Sequence, residues 1–164
     1  MPDPTSAPAA FFDVDGTLVH SNIVHYYRHL ALKNTSALGR LWWHCRFLPK
    51  VPAYLLIDRL DRALFNRLFY RNYAGMDADR ARTDAQALFA DFIRPRIFPA
   101  ALGTLRHHQR AGLRTVLVTG SLDFLIAPLA QYLGATDTLS STLKEQGRRF
   151  TGELTTAPLS EGQK

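Results

Sequence analysis

Phe11-Phe12-Asp13-Val14-Asp15-Gly16-Thr17-Leu18-Val19, or FFDVDGTLV over residues 11–19, decides how the rest of this chain is read. Ala10 to Val14 is a short apolar run that Asp15–Gly16 ends, which predicts a buried strand breaking into a loop. Alternation along a strand places Asp13 and Asp15 on one side and Val14 on the other, until the chain turns at Gly16. Two carboxylates so close repel each other unless a cation or a proton lies between them. Their expected use is to hold a hard cation such as Mg²⁺ through oxygen ligands, with several waters retained. The plainer reading is a turn that uses Asp and Gly for backbone reasons alone. An EF-hand calcium loop is excluded: no third acid continues the alternation, and Val24 stands where the closing glutamate would be.

Outward from this stretch the character changes to helix, from Ser21 to about Arg94. SNIVHYYRHLALKN (21–34), SALGRLWWHCRFL (36–48) and VPAYLLIDRLDRALFNRLFYRNY (51–73) place large apolar residues three and four apart. In the third segment Leu56, Leu60, Leu64 and Leu68 form one predicted stripe, with Phe65 and Phe69 beside it. Gly75 is a candidate C-cap, and Asp77 is placed to open a helix running toward Ile93. Pro95 and Pro99 mark a return to a second regime. PAALGTLRHHQRAG (99–112) reads as a helix closed by Gly112, LRTVLVTG (113–120) as a strand, and SLDFLIAPLAQYLG (121–134) as a helix closed by Gly134. TLSSTL (138–143), a turn at Gln146–Gly147 and RRFTGEL (148–154) read as a hairpin. Strands alternating with helices imply an α/β fold, a Rossmann-like three-layer core with a parallel sheet. The domain boundaries predicted are a flexible tail at 1–9, a core at 10–20 and 95–164, and a helical cap inserted after the first strand at 21–94.

The 164 residues suffice for one domain with a proper core, and 46% hydrophobic with 21% charged residues is ordinary for a globular chain. The net charge of +6 comes from arginines scattered among apolar residues, which suits an anionic substrate better than nucleic acid. Cys45 is the single cysteine, so no disulfide forms within the chain, and it is expected to be a small buried filler. The opening MPDPTSAPAA lacks the charged and apolar regions of a signal peptide. Residues 41–57 approach a membrane span, but Arg46, Lys50 and two prolines interrupt them, so the expected location is the cytoplasm.

Ligands of open α/β sheets bind at the carboxyl ends of the strands. Two predicted strands end in polar signatures, one at Asp13–Thr17 and one at Thr119-Gly120-Ser121. Ser121 and Asp123 are expected to be the N-cap and first-turn anion of the following helix. FFDVDGTLV, VLVTGS (116–121) and SEGQK (160–164), in this order, resemble the motifs of the haloacid dehalogenase superfamily of phosphotransferases. The helical insertion directly after the first motif is similar to that of the subfamily containing phosphoserine phosphatases.

The resemblance implies a Mg²⁺-dependent phosphatase acting on a small phosphorylated substrate. Asp13 would be the nucleophile that becomes an aspartyl-phosphate, and Asp15 the matching acid and base. Asp13 and Asp15 would hold the metal, Asp15 through its backbone carbonyl. Thr119 and Gly120 would bind the phosphoryl oxygens, and Lys164 would neutralise charge on the transferring group.

Phosphoserine phosphatases carry an acid nine positions after the nucleophile, and this chain has Asn22 there. The cap is also strongly aromatic (Tyr26, Tyr27, Trp42, Trp43, Tyr54, Phe65, Phe69, Tyr70). Most of these are expected to form cap core, and some to line an apolar entrance for a lipid-like phosphomonoester, with peripheral membrane contact left open. The family's fourth motif, an acidic pair on a later strand, is not found before Lys164. Truncation is therefore expected, with the first strand left at a sheet edge. Two alternatives stay open: an impaired remnant acting as a binding module, and phosphoryl transfer to an acceptor other than water. His25 and His29 share a helix face, but no third metal ligand accompanies them.

Overall fold

The computed structural model describes residues 8–33 and 35–155, so residues 1–7 of the expected tail lie outside the described residues. Strand β1 (Ala9–Asp13) begins within the predicted tail and runs parallel to β2 (Arg114–Leu122), with Asp13 opposite Val118. Strand β3 (Asp137–Ser141) pairs in parallel with the other side of β2, giving the order β1-β2-β3. Parallel neighbours require crossovers, and α7 (Asp123–Leu133) provides the one between β2 and β3. The central β2 is buried at Val116–Thr119 and again at Ser121 and Leu122, as a strand covered on both faces should be. β1 is buried less completely than its apolar sequence predicts. Phe12 meets His108 of α6 (Pro99–Arg110) edge-on, while Phe11, one residue away on the other face, is 66% exposed.

Between β1 and β2 lie α1 (Ile23–Leu32), α2 (Ala37–Phe47), α3 (Val51–Leu60), α4 (Arg62–Tyr70) and α5 (Ala78–Leu88), followed by α6. Asn22, Ser36, Asp61 and Asp77 begin four of them, each accepting from a backbone N–H of the first turn. The cap at Asp61 corrects the single stripe predicted through Leu56, Leu60, Leu64 and Leu68. At Asp61 the backbone is extended (φ −153°, ψ 99°), and its carboxylate accepts from Leu64 N–H, so the helix breaks and restarts. Leu56, Leu60 and Leu64 are then exposed, and Phe65 and Phe69 take the buried positions.

Those two rings join a cluster centred on Tyr27, whose ring lies 5.1–6.0 Å from Trp43, Phe47, Phe69 and Tyr73. Aromatic pairs at this spacing add about 0.5–1.5 kcal/mol each beyond area burial. Trp42 and Cys45, both expected inside, are exposed because α2 buries only Phe47.

The hairpin also differs from expectation. TLSS joins the main sheet as β3, and the hairpin is β4 (Leu143–Gln146) with β5 (Arg149–Leu154). Gly147 and Arg148 both have positive φ (55° and 66°), the conformation of a tight two-residue hairpin turn. β5 packs on the helical region, with backbone bonds between Phe150 and both Gly75 and Met76.

Candidate active site

The carboxyl ends of β1 and β2 lie side by side, and the chain between Asp15 and Val19 folds tightly over them. Val14 C=O accepts from the N–H groups of Thr17, Leu18 and Val19, and Gly16 supplies the positive φ (82°) that this turn needs. Thr17 Oγ1 donates to Asp13 Oδ2 at 2.9 Å. Asp15 reaches across to β2, where Thr119 Oγ1 and Ser121 Oγ each donate to its Oδ2 at 2.7 Å. Among the described residues its other oxygen, Oδ1, is buried without a hydrogen-bond partner, and the neighbouring Tyr26 hydroxyl is buried and likewise unpartnered. Burial pushes the Asp15 carboxyl above its ordinary value, nearby Asp13 adds to this, and the hydroxyl donors oppose it without prevailing.

A cavity of about 430 Å³ opens beside these groups. Asp13, Asp15 and Gly120 form its polar end, with Asn22, Ile23, Val24 and His25 at the start of α1. The walls come from Phe47, Val51, Tyr54, Leu55 and Phe65, and from Asp58, Arg62 and Asn66. Asp58 and Arg62 are 3.6 Å apart, so the two charges partly answer each other.

Residues 10–164 match the sequence profile of the haloacid dehalogenase-like hydrolases. The chain belongs to this family. A probable phosphatase of Mycobacterium tuberculosis (strain ATCC 25618 / H37Rv) is 24% identical over 156 residues, covering 92% of this chain and 53% of its own. The chain thus spans about half the length of that curated relative. A solved structure of a protein with unknown function from Bordetella pertussis Tohama I has a TM-score of 0.75 at 19% identity, over 93% of this chain and 68% of its own. A phosphoserine phosphatase solved as a phospho-aspartyl intermediate analogue has a TM-score of 0.60 at 15% identity, over 90% of this chain and 62% of its own. At these identities the structures establish the fold, which is that of the haloacid dehalogenase-like hydrolases.

In this chain Asp13, Asp15, Gly120 and Asn22 all border the cavity. Thr119 is fully buried beside Asp15 and does not line it, and its hydroxyl also accepts from Ser121 N–H at 2.9 Å. Asn22 is the N-cap of α1, with Oδ1 accepting from Val24 and His25 N–H. Lys164 lies outside the described residues.

Ser121 is not the N-cap of α7; Leu122 takes that place, and the Ser121 hydroxyl serves Asp15 instead. Its position two residues after Thr119 on a strand was the available signal, since alternation puts both on one face. Tyr70 is one of the cap aromatics expected as core or apolar entrance, yet its hydroxyl donates to Gly120 C=O at 2.5 Å across fifty residues of sequence, and nothing local announces such a contact.

The donor set suits a hard cation. The Asp13 carboxylate and the Asp15 carbonyl offer oxygen donors of the kind such a cation takes. Among the described residues no three acidic, histidine or cysteine side chains converge. His25 and His29 instead flank the Phe92 ring at 6.1 and 5.9 Å.

Proposed function

We propose that the chain carries the phosphoryl-transfer site of a Mg²⁺-dependent phosphomonoester hydrolase that works through an aspartyl-phosphate. The observation that carries this reading is the pairing of Asp13 with a buried Asp15 whose carboxyl is raised by burial at the mouth of the sheet. An Asp13 oxygen attacks phosphorus, the phosphorus–oxygen ester bond breaks, and the Asp15 carboxyl proton passes to the leaving oxygen. Asp15, now a carboxylate, takes a proton from water as the water oxygen attacks phosphorus. The bond to Asp13 then breaks and inorganic phosphate leaves. Thr119 and Ser121 hold Asp15 Oδ2, which leaves Oδ1 to carry the proton. The Gly120 peptide, held from behind by Tyr70, orients the phosphoryl group, and Lys164 is assigned the neutralising charge. Asp13 and the Asp15 carbonyl would hold Mg²⁺, which when bound would supply Lewis-acid stabilisation of phosphoryl charge.

The helical cap over residues 21–94 binds the substrate. Asn22 carries no charge and its oxygen is committed to capping α1, so the site has little to offer an ammonium group at that position. The apolar walls favour a bulky or lipid-like phosphomonoester over phosphoserine. A turnover panel comparing phosphoserine with acyl-glycerol phosphates, beside an Asp13→Asn control, tests both parts. A clear preference for phosphoserine removes the substrate assignment. Turnover that survives Asp13→Asn removes the mechanism, and absence of Asp13-dependent turnover points instead to a binding role.

A further inference from the structure

We infer that the outer faces of α2 and α3 seat this chain on an anionic membrane surface. Among the described residues eleven large apolar side chains are exposed, and eight of them fall between Leu38 and Leu64. On α2, Leu38, Leu41 and Trp42 are 80%, 62% and 66% exposed, and their spacing of three and four residues puts them on one face. On α3, Leu55, Leu56 and Leu60 are 61%, 61% and 77% exposed, and α3 buries no residue fully. Single exposed leucines need no explanation, but two successive helices that turn their apolar residues to water do.

Charge identifies the occupant. Residues 37–60 contain Arg40, Arg46, Lys50 and Arg59 against one acid, Asp58. All four basic residues are exposed. The Arg46 guanidinium sits 5.5 Å over the Trp42 ring. A second copy of the chain would bring the same positive surface against itself, on a chain already at +6. An anionic bilayer answers both features, with apolar side chains and Trp42 entering the headgroup boundary while the basic residues meet lipid phosphates. No helix among the described residues is long and apolar enough to cross a membrane, so the contact is interfacial.

Leu55 belongs both to this exposed set and to the cavity wall, so the cavity borders the apolar face at that residue. Delivery of a membrane-borne phosphomonoester past Leu55 rests on the function proposed above; the docking itself does not.

The test is flotation of the full chain with phosphatidylcholine vesicles and with vesicles that also contain phosphatidylglycerol. Binding is expected only to the second kind. It should weaken by roughly tenfold or more in Trp42→Glu/Leu60→Glu and in Arg40→Glu/Arg46→Glu. Neither pair lines the cavity, so unfolding midpoints and turnover of a water-soluble phosphomonoester should match the parent. Absence of binding to anionic vesicles, or binding by either variant as strong as the parent's, overturns the proposal. So does concentration-dependent dimerisation that Trp42→Glu/Leu60→Glu abolishes in a chain that ignores vesicles. If vesicles bind and no phosphomonoester is turned over, the docking stands and the hydrolase reading fails.

Discussion

Replacing Ser121 with alanine removes a fully buried hydroxyl that donates at 2.7 Å to Asp15 Oδ2, and it changes little else. The Ser121 N–H keeps its bond to Thr119, and Thr119 keeps its own bond to the same carboxylate oxygen. A hydrogen bond to a charged group contributes about 1.5–3 kcal/mol, and one remaining donor places the loss at the low end, about 1.5 kcal/mol once Asp15 is ionised.

The size of the loss should depend on pH. In the native chain burial holds the Asp15 carboxyl above its ordinary value of 3.8, and Ser121 is one of the donors pulling it back. The folded state therefore loses stability as pH rises from the unfolded value through the raised folded one. Without Ser121 the folded value rises further and the loss continues to higher pH. The penalty should be small near the unfolded value and grow as pH rises through the raised folded one. Urea unfolding of both chains with chelator present, from about pH 4 to pH 8, measures this directly. In turnover, the alkaline limb set by Asp15 as general acid should move to higher pH. A penalty of constant size at every pH, with an unmoved alkaline limb, would refute the reasoning and leave Ser121 as packing only.

Asp15→Asn should unfold at a higher temperature than the parent at neutral pH with chelator present, because a buried carboxylate is costly once ionised, while turnover falls by roughly 10²–10⁴-fold. A lower midpoint in calorimetry would contradict it. Tyr70→Phe keeps the ring but removes the donor to Gly120 C=O, and should cost about 1–3 kcal/mol in urea unfolding, with kcat for a soluble phosphomonoester reduced more than KM is raised. Gly152 has φ +82°, and a Cβ there would lie 2.9 Å from Arg71 Cα. Gly152→Ala should therefore destabilise the chain by more than the roughly 1–2 kcal/mol of left-handed strain alone, measured by the same unfolding curve.

The strand–turn FFDVDGTLV was legible because its information is local. Asp13 closes the strand, Asp15 follows two residues on at the same cavity, and Gly16 accepts the left-handed turn after them. Gly112 and Gly134, which follow α6 and α7 with positive φ, were legible for the same reason, as was the parallel sheet from the alternation of elements. The leucines from 56 to 68 were not. Periodicity shows that an apolar face exists, but burial goes to whichever side chains the neighbouring helices can reach. With the chain broken at Asp61, those are Phe65 and Phe69.

Asp15 and Ser121 are 106 residues apart, and only the parallel register of β1 on β2 brings them together. By itself the sequence determined that two carboxylates stand at the end of a strand. Tertiary structure decided which hydroxyls hold one of them and which leucines are left facing water, because both depend on contacts between segments that carry no local sign of each other.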